Sequence, residues 1–424
     1  MGKNIFEEKE SAVRSYCRRF PVLFTKAQNA YLYDEDGKEY IDFFAGAGAL
    51  NYGHNHPVIK KAVIEYLESN GVAHALDMYT EEKAKFLKSF YEDVLEPRGL
   101  DYKIMFTGPT GTNAMEAALK LARKVKKRTN VFALMGCFHG MTLASLALTT
   151  DQCAREGAGQ PLNNVTHIPA PYMIGERESL DYLKMILSDD HSGVDKPCAF
   201  VIETLQAEGG IYIMSNNYLL EVQRICREND ILLIVDDVQV GCGRCGSFFS
   251  FERARSGSGE DFDPDMVTLS KSIGGYGFPM ALLLLKEELD VWKPAEHNGT
   301  FRGNQLSFVA ATAALKLAGE LDLNEEANRK GEFVRKFIED RILPLAEGLE
   351  VRGVGLAYGI DFIKIDSTGE LVAKIQKECF EDGLIFESVG RGNAVLKIMP
   401  PLTIPDDVLG TGLEIILAAI KKCL

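Results

Sequence analysis

The sequence predicts an α/β protein with a large domain of alternating helices and strands and a smaller α+β unit towards the C-terminus. Residues 231–235, Ile-Leu-Leu-Ile-Val, are an unbroken apolar run, the mark of a strand buried on both faces of a parallel sheet. From residue 58 onward, helix-like and strand-like patterns alternate, as doubly wound sheets require. Past residue 321 that alternation gives way to a helix followed by short strands and turns. The buried strand ends at Asp236 and Asp237, and a second apolar strand at 266–269 is followed by Lys271, just ahead of the Gly-rich run 274–277. Ligands of open α/β sheets bind at such strand exits, so a carboxylate and a lysine at neighbouring exits mark a site that uses both.

In chain order, residues 1–55 combine a charged helix-like lead with a hairpin signal at Asp36 and Gly37. The stretch 45–57 is rich in small residues, which lets backbone approach another segment closely. His54 and His56 lie there two apart with no third ligand nearby, a structural rather than a metal-binding pattern. Helices are expected at 58–70, 81–95, 112–127, 217–229 and 306–321. Strands are expected at 104–106, 131–135, 199–204, 231–235, 266–269 and 280–285, with shorter ones at 351–363, 384–386 and 394–398. The polar, Gly-rich stretch 255–265 reads as a surface loop.

Composition narrows the function. The 424 residues hold 46% apolar and 25% charged residues, ordinary for a globular protein. With 47 Lys and Arg against 61 Asp and Glu the net charge is −14, which argues against nucleic acid or an anionic membrane as partner and suits a small-molecule enzyme of the cytoplasm. The nine cysteines are scattered without a disulfide rhythm and read as free thiols. Cys242 and Cys245 lack a second pair at zinc-like spacing, so no metal is expected. The first ten residues have no apolar signal core, and no stretch approaches the about 18 apolar residues of a membrane span.

Three further segments carry chemistry. Thr-Gly-Pro-Thr-Gly-Thr-Asn at 107–113 joins a short strand to an amphipathic helix; it is either a phosphate cradle of helix N–H groups or an ordinary cap, and it lacks the Walker spacing. Gly-Cys-Phe-His-Gly-Met-Thr at 136–142 follows another strand and offers Phe138 for the face of a planar ring. Glu203 and Glu208 stand at a third strand exit, either functional or solvated. A phosphate cradle, a ring-facing aromatic, an acid for a ring nitrogen and a lysine for an imine are together the parts that pyridoxal 5'-phosphate demands.

Those residues resemble the class III aminotransferases, subgroup II, of the ornithine/GABA type. The likeness runs from Asp42 and Phe43 with Gly-His-Asn-His-Pro at 53–57 to Pro-Pro-Leu at 400–402. Its most specific signature is Asp-Asp-Val-Gln-Val-Gly-Cys-Gly-Arg-Cys-Gly at 236–246, followed by Ser270 and Lys271. The resemblance implies the fold type I architecture: a large domain (58–314) on a mainly parallel seven-stranded sheet, and a small α+β domain assembled from both termini (1–57 and 315–424). It implies that Lys271 joins the cofactor covalently and that Asp236 keeps its ring nitrogen protonated. Gln239 would bond the ring hydroxyl, Gly111, Thr112 and Asn113 the phosphate, and Phe138 and His139 would line the ring. Thr300 would reach the phosphate in a neighbouring subunit, so the resemblance also implies a homodimer or higher homo-oligomer with the active site at the interface.

Substrates implied by the resemblance are an amino acid and an oxo acid or aldehyde. Relatives that recognise an α-carboxylate carry Arg after the Phe-His-Gly motif, where this chain has Met141; they also carry a C-terminal Arg that pairs with a glutamate, where this chain has Lys397, with Glu208 as the matching glutamate. Lysine lacks the planar fork of guanidinium, which makes Arg302 a candidate replacement for carboxylate binding. The wording at 20–24, 43–57, 138–142 and 299–304 resembles the branch that moves glutamate's amino group onto the terminal aldehyde of a short semialdehyde. Branches acting on ornithine, acetylornithine or GABA are the alternatives. A silent binding protein on this fold is disfavoured because Lys271 and Asp236 are both present.

Overall fold

The computed structural model describes residues 2–255 and 261–424. The loop expected at 255–265 therefore falls partly, at 256–260, outside the described residues.

A seven-stranded sheet organises the chain. Across it lie Tyr102–Phe106, Leu282–Lys286, Met266–Leu269, Leu232–Asp236, Ala199–Ile202, Val131–Leu134 and Val165–Ile168. The last five run parallel, and Leu282–Lys286 is antiparallel to both of its neighbours. The apolar run at its centre behaves as its composition demands: Leu233 and Val235 enter one core cluster, and Leu232 and Ile234 enter another on the opposite face. The helix Gly111–Lys126 covers one face with Met115, Leu119 and Ala122, and the helix Asn216–Glu228 covers the other with Leu219, Val222 and Ile225.

Two smaller sheets involve the ends of the chain. The hairpin of Tyr31–Asp34 and Glu39–Asp42 turns at Asp36 and Gly37, where Asp34 Oδ1 accepts from the N–H groups of Asp36 (3.0 Å) and Lys38 (2.9 Å). Its Ile41 pairs in parallel with Leu384 of the C-terminal region, so one sheet unites residues from both ends. The other sheet holds Glu350–Val354, Ala357–Asp361, Val395–Ile398 and Glu387–Val389, all antiparallel. A single apolar cluster runs from Phe43 and Ile59 through Leu396 and Ile398 to Ile416 and binds these sheets to their helices.

The small-residue stretch 45–57 is where backbone does approach closely. A Cβ on Gly48, whose φ is +83°, would lie 3.2 Å from the Gln239 carbonyl. Gly48 O also accepts from Ser272 Oγ at 2.7 Å, next to Lys271, so this N-terminal segment lies against the lysine's turn. His54 Nε2 meets Asp42 Oδ2 at 2.9 Å, a structural pairing. Cys242 and Cys245 are buried free thiols. Among the described residues no helix is long and apolar enough to cross a membrane.

Candidate active site

The exits of the parallel strands converge on a cavity of about 150 Å³ whose walls include Thr112, Phe138, Glu203, Asp236, Val238 and Lys271. Asp236 is the last residue of its strand, and its neighbour across the sheet is Thr268. Its carboxylate is fully dressed: His139 Nδ1 lies 2.7 Å from Oδ2, and Oδ1 accepts from Val238 N at 3.1 Å and Thr268 Oγ1 at 3.2 Å. Asp237 points away from this cavity, as side chains in extended chain alternate, and takes hydrogen bonds from Ser250 N (2.9 Å) and Ser250 Oγ. Burial pushes its carboxyl up to about 7.

Lys271 lies two residues past its strand with φ +54°, a left-handed conformation unusual for a residue with a side chain and typical of functional turns. Burial drives its amine below the ordinary value of 10.5, against the opposing pull of Glu208. Glu203 is buried with one oxygen accepting from Phe138 N at 3.2 Å; burial, reinforced by the Asp236 charge, holds its carboxyl well above its ordinary range. Of the two states open to this exit carboxyl, solvation is thereby excluded for Glu203.

Behind Lys271 stands a second charge system. Lys397 is 1% exposed and bridges two carboxylates, with Nζ 2.7 Å from Glu208 Oε1 and 2.7 Å from Glu387 Oε2. Local structure accounts for one of these contacts: Glu387 and Lys397 are direct cross-strand partners in the C-terminal sheet. Tyr16 completes the set by donating to Glu387 Oε1 at 2.8 Å. Burial alone would lower the lysine's pKa and raise that of Glu208, but the mutual attraction reverses both, leaving Lys397 raised and Glu208 lowered.

Comparison with known proteins identifies the family. Residues 13–420 match the family model described as aminotransferase class-III. The chain is 49% identical over 423 residues to a diaminobutyrate–2-oxoglutarate transaminase of Halalkalibacterium halodurans, covering 99% of this chain and 96% of that one. It is 48% identical over 423 residues to a protein of the same name from Streptomyces coelicolor, covering 99% and 98%. The chain belongs to the class III aminotransferases. Among solved structures, a transaminase from the marine bacterium Virgibacillus superposes with a TM-score of 0.87 at 21% identity, covering 99% of this chain and 98% of that one. The ornithine aminotransferase of Toxoplasma gondii gives 0.83 at 24% identity, covering 99% and 93%. Both share the fold type I architecture.

A class III aminotransferase takes pyridoxal phosphate, and the cavity suits it. Buried His139 Nε2 has no partner and is free to meet a bound group. At the start of the helix Gly111–Lys126 the first N–H groups have no intrahelical acceptors, and the chain passes so near Val238 that a Cβ on Gly111 would lie 2.7 Å from Val238 Cγ1. Thr112 Oγ1 sits at that helix start, 2.5 Å from Ser145 Oγ and 2.7 Å from Thr142 Oγ1. Asn113 faces elsewhere: its Oδ1 accepts from Thr110 N (3.2 Å) and Thr110 Oγ1 (2.9 Å), which makes it the reciprocal half of the helix cap. Gln239 Nε2 donates to Ala47 O at 3.0 Å while the side chain lines the cavity.

Five residues singled out in the sequence are not walls of this cavity within one chain: Asn113 and Lys397, described above, and Met141, Thr300 and Arg302. Met141 is 56% exposed and is not among its walls. Thr300 is exposed, and Arg302 is ion-paired with Asp77 beside a separate cavity. Conversely, Tyr16, Glu387, Val238 and Thr268 belong to the site without having been singled out. Only Glu387 left a usable signal, an acid ten residues before Lys397 on what must be a neighbouring strand if 384–398 is a hairpin.

Proposed function

We propose that the enzyme moves the amino group of L-glutamate to L-aspartate 4-semialdehyde, giving L-2,4-diaminobutyrate and 2-oxoglutarate, the opening step of ectoine synthesis, in the cytoplasm. The observation that carries this reading is near full-length identity of 47–49% to several proteins named diaminobutyrate–2-oxoglutarate transaminase. Lysine in place of arginine at position 397 is compatible with it, because amine chemistry on the terminal carbon makes different demands on carboxylate recognition.

Pyridoxal phosphate, when bound, supplies an electron sink for the electron pair left as the amine-bearing carbon loses its proton. Lys271 would hold the cofactor, and its side-chain amine would take the proton from the substrate carbon. Its lowered pKa serves that task, since a neutral amine is the base. Asp236 would face the ring nitrogen, its carboxylate oriented by His139, Thr268 and Val238 N. Gly111 and Thr112 would take the phosphate on helix N–H groups, Phe138 and Val238 would flank the ring, and Gln239 would face its hydroxyl. Two half-reactions sharing one site give ping-pong kinetics.

The active unit is a homodimer in which Thr300 reaches the neighbouring phosphate. Its support is an exposed apolar surface next to Thr300, comprising Leu76, Met78, Tyr79 and Phe301, of which Tyr79 is fully exposed in the single chain. Steady-state turnover with 2-oxoglutarate as acceptor tests the reaction: diaminobutyrate is expected to outrun ornithine, acetylornithine and GABA, and a preference for ornithine would overturn the assignment.

A further inference from the structure

A cavity of about 750 Å³ adjoins the Lys271 pocket and shares Phe138 and Glu208 with it as walls. Through those shared walls this space is next to the Lys271 pocket and has room for the remaining atoms of a substrate whose reacting amine lies there. The charged residues around it are Arg19, Asp151, Glu208, Glu387 and Arg391. Every acid among them is already engaged. Glu208 and Glu387 hold Lys397, and Asp151 Oδ1 accepts from Ala154 N at 2.7 Å as a helix cap.

The two arginines are not so engaged. Half-buried Arg19 donates to Ser388 Oγ at 3.2 Å, and Arg391 lies 5.4 Å over the Tyr172 ring with Met173 Sδ at 3.5 Å. Among the described residues neither forms an ion pair with a carboxylate. Arg391 is nonetheless held in place, since Tyr172 stacks on Tyr212 at 3.6 Å and Arg352 sits 4.1 Å from the Tyr212 ring centre. Two guanidinium groups lining one cavity, neither of them ion-paired to the acids that share its walls, can receive an anion, and guanidinium favours a carboxylate because its N–H fork matches it.

The chemistry of the two substrates says which carboxylate. In glutamate and in diaminobutyrate, the carboxylate remote from the reacting amine stands the same number of carbon–carbon bonds from the carbon that bears that amine. One remote subsite therefore serves both half-reactions without rearrangement. Lys397 is badly placed for this work, being buried between two glutamates, while Met141 is absent from the cavity's walls and Arg302 is tied to Asp77. We propose that Arg19, with Arg391 and the Ser388 hydroxyl, is the subsite for the substrates' remote carboxylate, and that Lys397 is a fixed counter-charge rather than a substrate ligand. This assignment rests on the reaction proposed above.

The test compares diaminobutyrate with 1,3-diaminopropane, which has the same reacting amine and no carboxylate, using the holoenzyme and 2-oxoglutarate near saturation. Arg19→Met is expected to shrink the preference for diaminobutyrate, as a ratio of kcat/KM, roughly ten- to hundredfold, mainly through KM, as expected for loss of charge-assisted hydrogen bonds. Arg19→Lys restores part of it, and Arg391→Met has a smaller effect of the same sign. Calorimetric titration of the holoenzyme with unreactive glutarate gives a second reading, with weaker binding expected for Arg19→Met. An unchanged preference in both methionine variants, or an equal loss for both amines, overturns the subsite. Were the wild type to favour another amine over diaminobutyrate, the proposed reaction would fail while glutarate binding still decided the subsite.

Discussion

The two ends of this active site solve the same electrostatic problem in opposite ways. At the cofactor end one carboxylate, Asp236, is fixed by an imidazole, a hydroxyl and a backbone N–H, all from strand exits or turns of the large sheet. At the substrate end Lys397 is shared by Glu208 and Glu387, with Tyr16 on the second of them and Arg19 and Arg391 close by. These residues come from the N-terminal helical turn, the turn of a separate two-stranded sheet (Leu205–Gln206 and Tyr212–Ile213), and the C-terminal sheet with its adjoining turn. The first carboxylate is positioned by hydrogen bonds from one sheet. The second system is a network of shared charges, in which each member sets the protonation of the others.

The largest effects should come from the cofactor end. Lys271→Ala removes the proposed base, and the rate is expected to fall by about 10²–10⁴-fold or more in single-turnover assays. A loss below tenfold would take Lys271 out of the chemistry. Asp236→Asn keeps the shape and deletes the charge, and a fall in kcat on the order of 10²–10³ is expected. Should that variant lose less activity than Lys397→Met, the contrast between a solitary charge and a network would fail.

Lys397→Met attacks the network and should act first on stability. Removing one member of a buried ion pair leaves the others uncompensated, and urea unfolding should show a loss of about 3–5 kcal/mol. The pH dependence has a definite sign. Lys397 titrates above 10.5 in the folded protein, so its contribution is complete below that value and fades as pH rises through the raised one. Glu208 titrates below 4.5, so its contribution is complete above that value and fades as pH falls through the lowered one. The network's contribution to wild-type stability should therefore be flat through neutral pH and fade at both extremes. Lys397 also helps depress the Lys271 amine, so the variant should need a higher pH for cofactor uptake by the apoenzyme.

The same contrast governs what could be read from the sequence. The central strand, Asp236 and Lys271 were legible because a strand buried on both faces is apolar without interruption, and its exit is fixed by where that run stops. The edge strand Val165–Ile168 was not, since its Val-Thr-His-Ile composition is half polar and carries no such mark. The Lys397 network was legible only at Glu208 and Lys397, through family resemblance. Its other half depends on the register that sets Glu387 opposite Lys397 and on the docking of Tyr16 from the far end of the chain. Even the pKa of Glu203 is a tertiary property, for burial and not sequence raises it.

Tyr16→Phe is the gentlest probe of the contrast. It deletes one hydroxyl from Glu387 and leaves every charge in place, and because Tyr16 is 46% exposed, the lost hydrogen bond should cost about 1 kcal/mol or less. Burial and Glu387 raise the tyrosine's pKa above 10, so its stabilising effect is present below that value and disappears as pH rises through the raised one. The variant and wild type should thus converge in alkaline solution, and KM for glutamate should rise by less than tenfold. If the Glu387 side chain were held by Lys397 alone, the two proteins would unfold identically at every pH. A measurable gap at neutral pH that closes above pH 10 would instead show that the network extends to the N-terminal turn, and that the substrate end is assembled from both ends of the chain.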